Sequence, residues 1–137
     1  MVDLHTLDPT TLQAGPEADA LVAEWRGWKL VSSGNKWSAI QEYWVAPDGS
    51  RVAKNQWSPS TNPAHAGEAR READRCWVQS DALRYSVWLG GCWAHCWLEE
   101  VNGDKCLAEA LATTRAIAEV MKAKAIEKGE DDECHNG

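Results

Sequence analysis

A chain of 137 residues, 44% apolar and 26% charged, fits one globular domain that buries most of its apolar surface, and it calls for no second domain. Its net charge of -7 and pI near 5.0 count against direct nucleic-acid binding, because a phosphate backbone selects a positive surface. Acidity can instead serve docking on basic protein surfaces or imitation of nucleic acid, although a solvated acidic face is its commoner use.

Met1-Val2-Asp3-Leu4-His5 lacks the basic start and apolar run of a secretion leader, and no later stretch approaches the roughly 20 apolar residues that span a bilayer. A cytosolic protein with no membrane contact is expected. Residues 1–14 carry no sustained periodicity and read as an irregular segment ahead of a domain at 15–128. Gly15-Pro16-Glu17 then starts a helix that runs to about Trp25 or Arg26, with Ala18, Leu21, Val22 and Trp25 on one stripe. Gly27 closes it. Trp28 to Ser32 reads as a short strand, Ser32-Ser33-Gly34-Asn35 as a turn, and Trp37 to Tyr43 as an extended region of uncertain register.

Pro47-Asp48-Gly49-Ser50 between Tyr43–Ala46 and Arg51–Lys54 predicts a hairpin, because Asp-Gly tolerates the positive φ that tight turns require. Thr61 or Asn62 caps a second helix that opens on Pro63 and runs to about Asp74, an alanine-bearing surface helix. Cys76 to Gln79 begins a second group of strands. Leu83–Leu89 and Cys92–Leu98 flank Gly90-Gly91, a two-residue turn that sets the register from Leu89 opposite Cys92 to Arg84 opposite Trp97. Alternation then gives an apolar face of Tyr85, Val87, Leu89, Cys92, Ala94, Cys96 and Leu98. The opposite face carries Arg84, Ser86, Trp88, Trp93, His95, Trp97 and Glu99. A long helix from about Lys105 to Lys128 presents a stripe of Leu107, Leu111, Thr114, Ile117, Met121 and Ala125. The acidic stretch 129–137 reads as a disordered tail.

Five cysteines, an odd number, read as small buried hydrophobes in a reducing compartment, apart from Cys134 in the tail. Cys92-Trp93-Ala94-His95-Cys96 imitates a metal cluster, but in a strand its two cysteines lie about 13 Å apart and His95 points to the other face. One zinc ion cannot collect all three at bonds of about 2.0–2.3 Å, so no metal and no cofactor are expected. Cys134-His135 offers only a two-residue tail site. Cys76, Cys92, Cys96 or Cys106 with His65 or His95 lacks a strained nucleophile turn and an oxyanion loop. Gly90-Gly91 lacks the helix and lysine of a phosphate loop, and Glu99-Glu100 and Asp131-Asp132 read as solvated charge. No catalytic residue is assigned.

Nine Trp and two Tyr stand in a chain without a single Phe, so flat amphipathic rings are in particular demand. Arg84, Trp88, Trp93, His95 and Trp97 form the candidate partner- or ligand-binding set, since Trp and Arg dominate binding hot spots. The bland alternative is a second core: helices covering both sheet faces would bury these indoles.

The runs Ala20-Leu21-Val22-Ala23-Glu24-Trp25-Arg26-Gly27-Trp28, Trp44 to Gly49, Trp57 to Ala64, and Thr114-Arg115-Ala116-Ile117 together resemble the phage ABA sandwich domain family over roughly residues 17–126. The resemblance implies a small phage or prophage product, an antiparallel sheet with helices on both faces (an α/β/α sandwich, α+β in class), and no established catalytic residues. A non-enzymatic accessory protein of the host cytoplasm is then expected, one that binds and inhibits a host or host-defence protein. The alternative is a protein that sequesters a nucleotide-like small molecule between its indoles. The aromatic face also allows pairing as a homodimer.

Overall fold

Pro16 and the first-turn acids Glu17 and Asp19 start helix α1, Pro16–Trp25, which buries Ala18, Leu21, Val22 and Ala23 and stops at Gly27, held at φ +80°. These belong to a computed structural model that describes residues 7–35, 38–73 and 75–136. Strands β1, Lys29–Asn35, β2, Ser38–Val45, and β3, Arg51–Ala53, form one antiparallel sheet in that order. Helix α2, Pro63–Arg70, follows. Strands β4, Cys76–Ser80, β5, Arg84–Leu89, and β6, Cys92–Trp97, form the second sheet, and helix α3, Lys105–Asn136, ends the chain. The fold is α+β, but the single sheet expected from sequence is two separate three-stranded sheets.

Several boundaries differ from those expected, each for a local reason. Ser32–Asn35 is not a turn: β1 stays extended through it, with a register irregularity between Ser33 and Asn35 where Gly34 adopts φ +153°. Helix α2 ends at Arg70 because its buried face, Ala66 and Ala69, spans two turns only. Arg70 then leaves it to reach α3, donating to Thr113 Oγ1 and Glu109 Oε1 at 2.8 Å each. Leu98 leaves strand β6 for a 3-10 turn, Leu98–Val101. Helix α3 continues past Lys128 and takes in most of the acidic segment that the sequence reading leaves unstructured. The roughly 1 kcal/mol cost of Gly129 does not stop it. The irregular N-terminal segment contains a 3-10 turn, Pro9–Thr11, capped by Asp8. The leader reading at Met1 to His5, the helix end at Asp74 and the Cys134 and His135 side chains fall outside the described residues.

The middle of α3 organises the core. Asp104 Oδ1 caps its start, accepting from the Cys106 and Leu107 amides at 3.0 and 3.2 Å. From Ala110 to Ala118 every residue is buried, the mark of a helix enclosed on all sides rather than lying on a surface. One side meets the inner faces of β5 and β6, where Val87, Leu89, Ala94 and Cys96 pack against Ala108, Leu111, Ala112 and Ile117. The other meets α1 and α2. Thr113 and Thr114 satisfy their hydroxyls on the Glu109 and Ala110 carbonyls at 2.9 and 3.0 Å.

The β5–β6 turn puts Gly90 at φ +57° and Gly91 at φ +89°. A Cβ on Gly90 would stand 3.0 Å from Val120 Cγ2, whereas one on Gly91 meets nothing within 4 Å. Both alanine variants suffer backbone strain, and only Gly90→Ala adds a clash with the helix. Thermal melts are expected to show Gly90→Ala losing roughly 1–3 kcal/mol and Gly91→Ala clearly less. Equal losses would mean that Val120 does not constrain the turn.

Candidate functional site

Two pairing registers build the site. Trp77↔Trp88, Gln79↔Ser86 and Ser80↔Tyr85 join β4 to β5, and Trp88↔Trp93, Ser86↔His95 and Arg84↔Trp97 join β5 to β6. Alternation then lays out the outer face as three rows: Trp77–Trp88–Trp93, Gln79–Ser86–His95 and, one step beyond the end of β4 where the Asp81 amide donates to the Arg84 carbonyl at 3.0 Å, Asp81–Arg84–Trp97. All five residues singled out from sequence, Arg84, Trp88, Trp93, His95 and Trp97, come together on this face.

Its indoles are not a second core. Trp77, Trp93 and Trp97 are 62%, 46% and 46% exposed, and among the described residues no helix covers them. Trp88, in the middle of its row, is half-buried. Trp77 is the most exposed of the four and was absent from the sequence-derived set. The alternation of Cys76-Trp77-Val78-Gln79 carried that signal, but the longer loop between β4 and β5 left the register undetermined. Three other tryptophans, Trp28, Trp44 and Trp57, serve packing instead. Trp28 and Trp57 lie 4.6 Å apart, Trp57 stacks on His65 at 5.0 Å, and Arg26 stands 4.3 Å over Trp28.

Polar groups on the outer face are tied to one another. Arg84 stacks over Trp97 at 5.6 Å and pairs with Asp81 at 3.7 Å. The Leu83 and Arg84 amides donate to Asp81 Oδ1 at 2.8 and 3.0 Å, which holds that carboxyl below its ordinary pKa. His95 lies parallel to Trp93 at 6.4 Å, and its Nδ1 is 2.7 Å from Ser86 Oγ. Desolvation, then the Arg84 charge, pushes the His95 pKa below its usual value, so the ring is neutral at pH 7. The Ser86–His95 pair resembles half of a catalytic dyad. Ser86, however, is 2% exposed, and among the described residues no carboxylate is hydrogen-bonded to His95 to orient it.

The cysteines divide by environment. Cys96 is buried beneath β6 and its thiol is pushed up to about 11, mainly by desolvation. Cys76 and Cys92 are half-buried and also raised. Cys106 is exposed, contrary to the expectation of a buried hydrophobe, because it lies in the first turn of α3 before the helix enters the core. Cys106 is expected to react with a thiol reagent at pH 8 at least tenfold faster than Cys96, since reaction needs an accessible thiolate. Mass mapping of the labelled peptides checks this, and comparable rates would contradict the burial of Cys96. Among the described residues no three His, Cys, Asp or Glu side chains are grouped to hold a metal ion.

A cleft of about 1040 Å³ lies elsewhere, between α1 and the first sheet, lined among others by Asp19, Tyr43, Arg51, Lys54 and Trp57. None of the five sequence-derived site residues lines it. No described helix is long and apolar enough to cross a membrane. No family model matches the chain, and neither a curated protein nor a solved structure does so.

Proposed function

We propose that this chain is a non-enzymatic, phage-encoded accessory protein that binds and blocks a host or host-defence protein in the host cytoplasm. Its recognition surface is the outer face of the second sheet: Trp77, Trp88, Trp93 and Trp97 with Arg84 and His95. The observation that carries this reading is the exposure of Trp77, Trp93 and Trp97 on one sheet face. An exposed cluster of indoles beside an arginine has the composition of an interface hot spot.

The cleft near the first sheet shares none of the residues of this face, so these indoles do not line the enclosure that a small nucleotide-like ligand would use. The test is affinity purification of the tagged protein from host cells, alongside the Trp93→Lys variant. One host protein recovered in near-stoichiometric amount with the wild type and lost with the variant is the expected result. Recovery of the chain alone, together with calorimetric heat from a nucleotide panel, would replace this reading with the small-molecule one. Turnover of any substrate by the pure protein would overturn the non-enzymatic assignment.

A further inference from the structure

The outer face of the second sheet is a three-by-three grid whose first row is all indole and whose third row holds one cation, Arg84, at its centre. Trp77, Trp93 and Trp97 present on the order of 400 Å² of apolar surface on this face, within the range of the largest patch a monomer leaves open to water.

We propose that in the free protein this face is covered by a second copy of this chain, and that this self-pairing masks the recognition surface until a partner displaces it. The two-fold axis lies between the two sheets and runs across their strands. It exchanges the first and third rows and keeps each strand over its own counterpart. Arg84 then lies over Trp88 of the second copy, Trp93 over Trp97, and Trp77 over Asp81, while the Gln79–Ser86–His95 row meets itself. A two-fold axis along the strands would instead set Arg84 against Arg84, a like-charge contact. The Arg84–Trp88 encounter repeats a pairing the chain already makes, with Arg84 over Trp97 at 5.6 Å and Arg26 over Trp57 at 5.5 Å.

Such an interface is isologous, with strands aligned as in a sheet-on-sheet sandwich. With the polar groups around the indoles it would bury about 1,000 Å² in total, at the lower limit for specific association, so the pair is expected to be weak, with a Kd in the micromolar range or above. A weak pair of this kind yields to a tighter partner, which is what masking requires. The masking rests on the reading of this face as the recognition surface.

Sedimentation equilibrium of the full chain between about 1 and 200 µM covers the micromolar range. The mass is expected to climb from 15.1 kDa towards twice that value as concentration rises. Trp93→Lys and Arg84→Glu are expected to stay monomeric throughout, while Leu30→Lys, on the first sheet, dimerises as the wild type does. A wild type that is monomeric at every concentration, a species larger than a dimer, or a dimer that survives both Trp93→Lys and Arg84→Glu would overturn the proposal. A monomeric wild type whose captured partner is still lost on Trp93→Lys would refute the self-pairing, and the masking with it, and leave the recognition surface in place.

Discussion

Arg115→Leu is expected to lower the stability of the fold by about 2–4 kcal/mol, because it breaks an ion pair whose carboxylate is 30% exposed and leaves two backbone carbonyls without their donor. Arg115 is 1% exposed, and its guanidinium forks onto both Glu100 oxygens at 2.9 and 3.0 Å. It also donates to the Leu12 carbonyl at 2.9 Å and the His95 carbonyl at 3.0 Å. One side chain on α3 thus joins the N-terminal segment, strand β6 and the 3-10 turn that follows it. Arg115→Lys is expected to recover only part of the loss, because an ammonium cannot reproduce the planar fork. Urea titrations compare the three proteins, and a loss below about 1 kcal/mol for Arg115→Leu would mean the clamp is dispensable.

The same pair carries a pH signature. Hydrogen bonds from Arg115, aided by the Trp97 amide at 2.9 Å, hold the Glu100 carboxyl below its ordinary pKa of 4.5. A lowered folded-state pKa contributes stability that is present above the unfolded value and lost as pH falls through the folded one. The stability gap between wild type and Arg115→Leu is therefore expected to be full at pH 7 and to narrow as pH drops below 4.5.

Local chemistry made much of this fold legible in advance. Gly90-Gly91 predicts every pair of the β5–β6 register, and Asp48-Gly49 predicts the β2–β3 hairpin, though not its register, which closes on Ala46 and Ser50 rather than on Pro47 and Ser50. The Pro16 start of α1 and the Asn62-Pro63 start of α2 are likewise written in the residues. What escaped is non-local. Nothing between Ala53 and Cys76 announces that one sheet ends and another begins. The charge on Arg115 argues against burial until its partners, up to 103 residues away in the chain, are known. The continuous burial of Ala110–Ala118 was equally hidden, because Leu107, Leu111, Thr114, Ile117 and Met121 read as a single apolar stripe.

For the site, the residue types were legible and the exposure was not. Alternation alone placed Trp88, Trp93 and Trp97 with Arg84 and His95, but the same pattern suits a second core as well as a docking face. The deciding fact is where α3 packs. It lies against Val87, Ala94 and Cys96 on the inner face and leaves the outer one without a described helix. A layered fold whose aromatic face stays open is thus a matter of helix placement, which depends on contacts distant in sequence.

That openness yields the sharpest expected separation between folding and binding. Trp77→Ala and Trp93→Ala each remove an indole that is 62% or 46% exposed, so each is expected to change stability by less than about 1 kcal/mol. Against the purified partner, each should cost roughly 2–4 kcal/mol, about 30- to 1,000-fold in Kd, because a central Trp is the commonest hot-spot residue. Trp88→Ala should weaken binding too, but with a measurable loss of stability, since Trp88 is half-buried between its two row neighbours. Calorimetric titration and thermal melts on the same preparations read the two effects separately. Unfolding of Trp77→Ala and Trp93→Ala would show that these rings support the domain itself, whereas unchanged affinity in folded variants would move the recognition surface away from the second sheet.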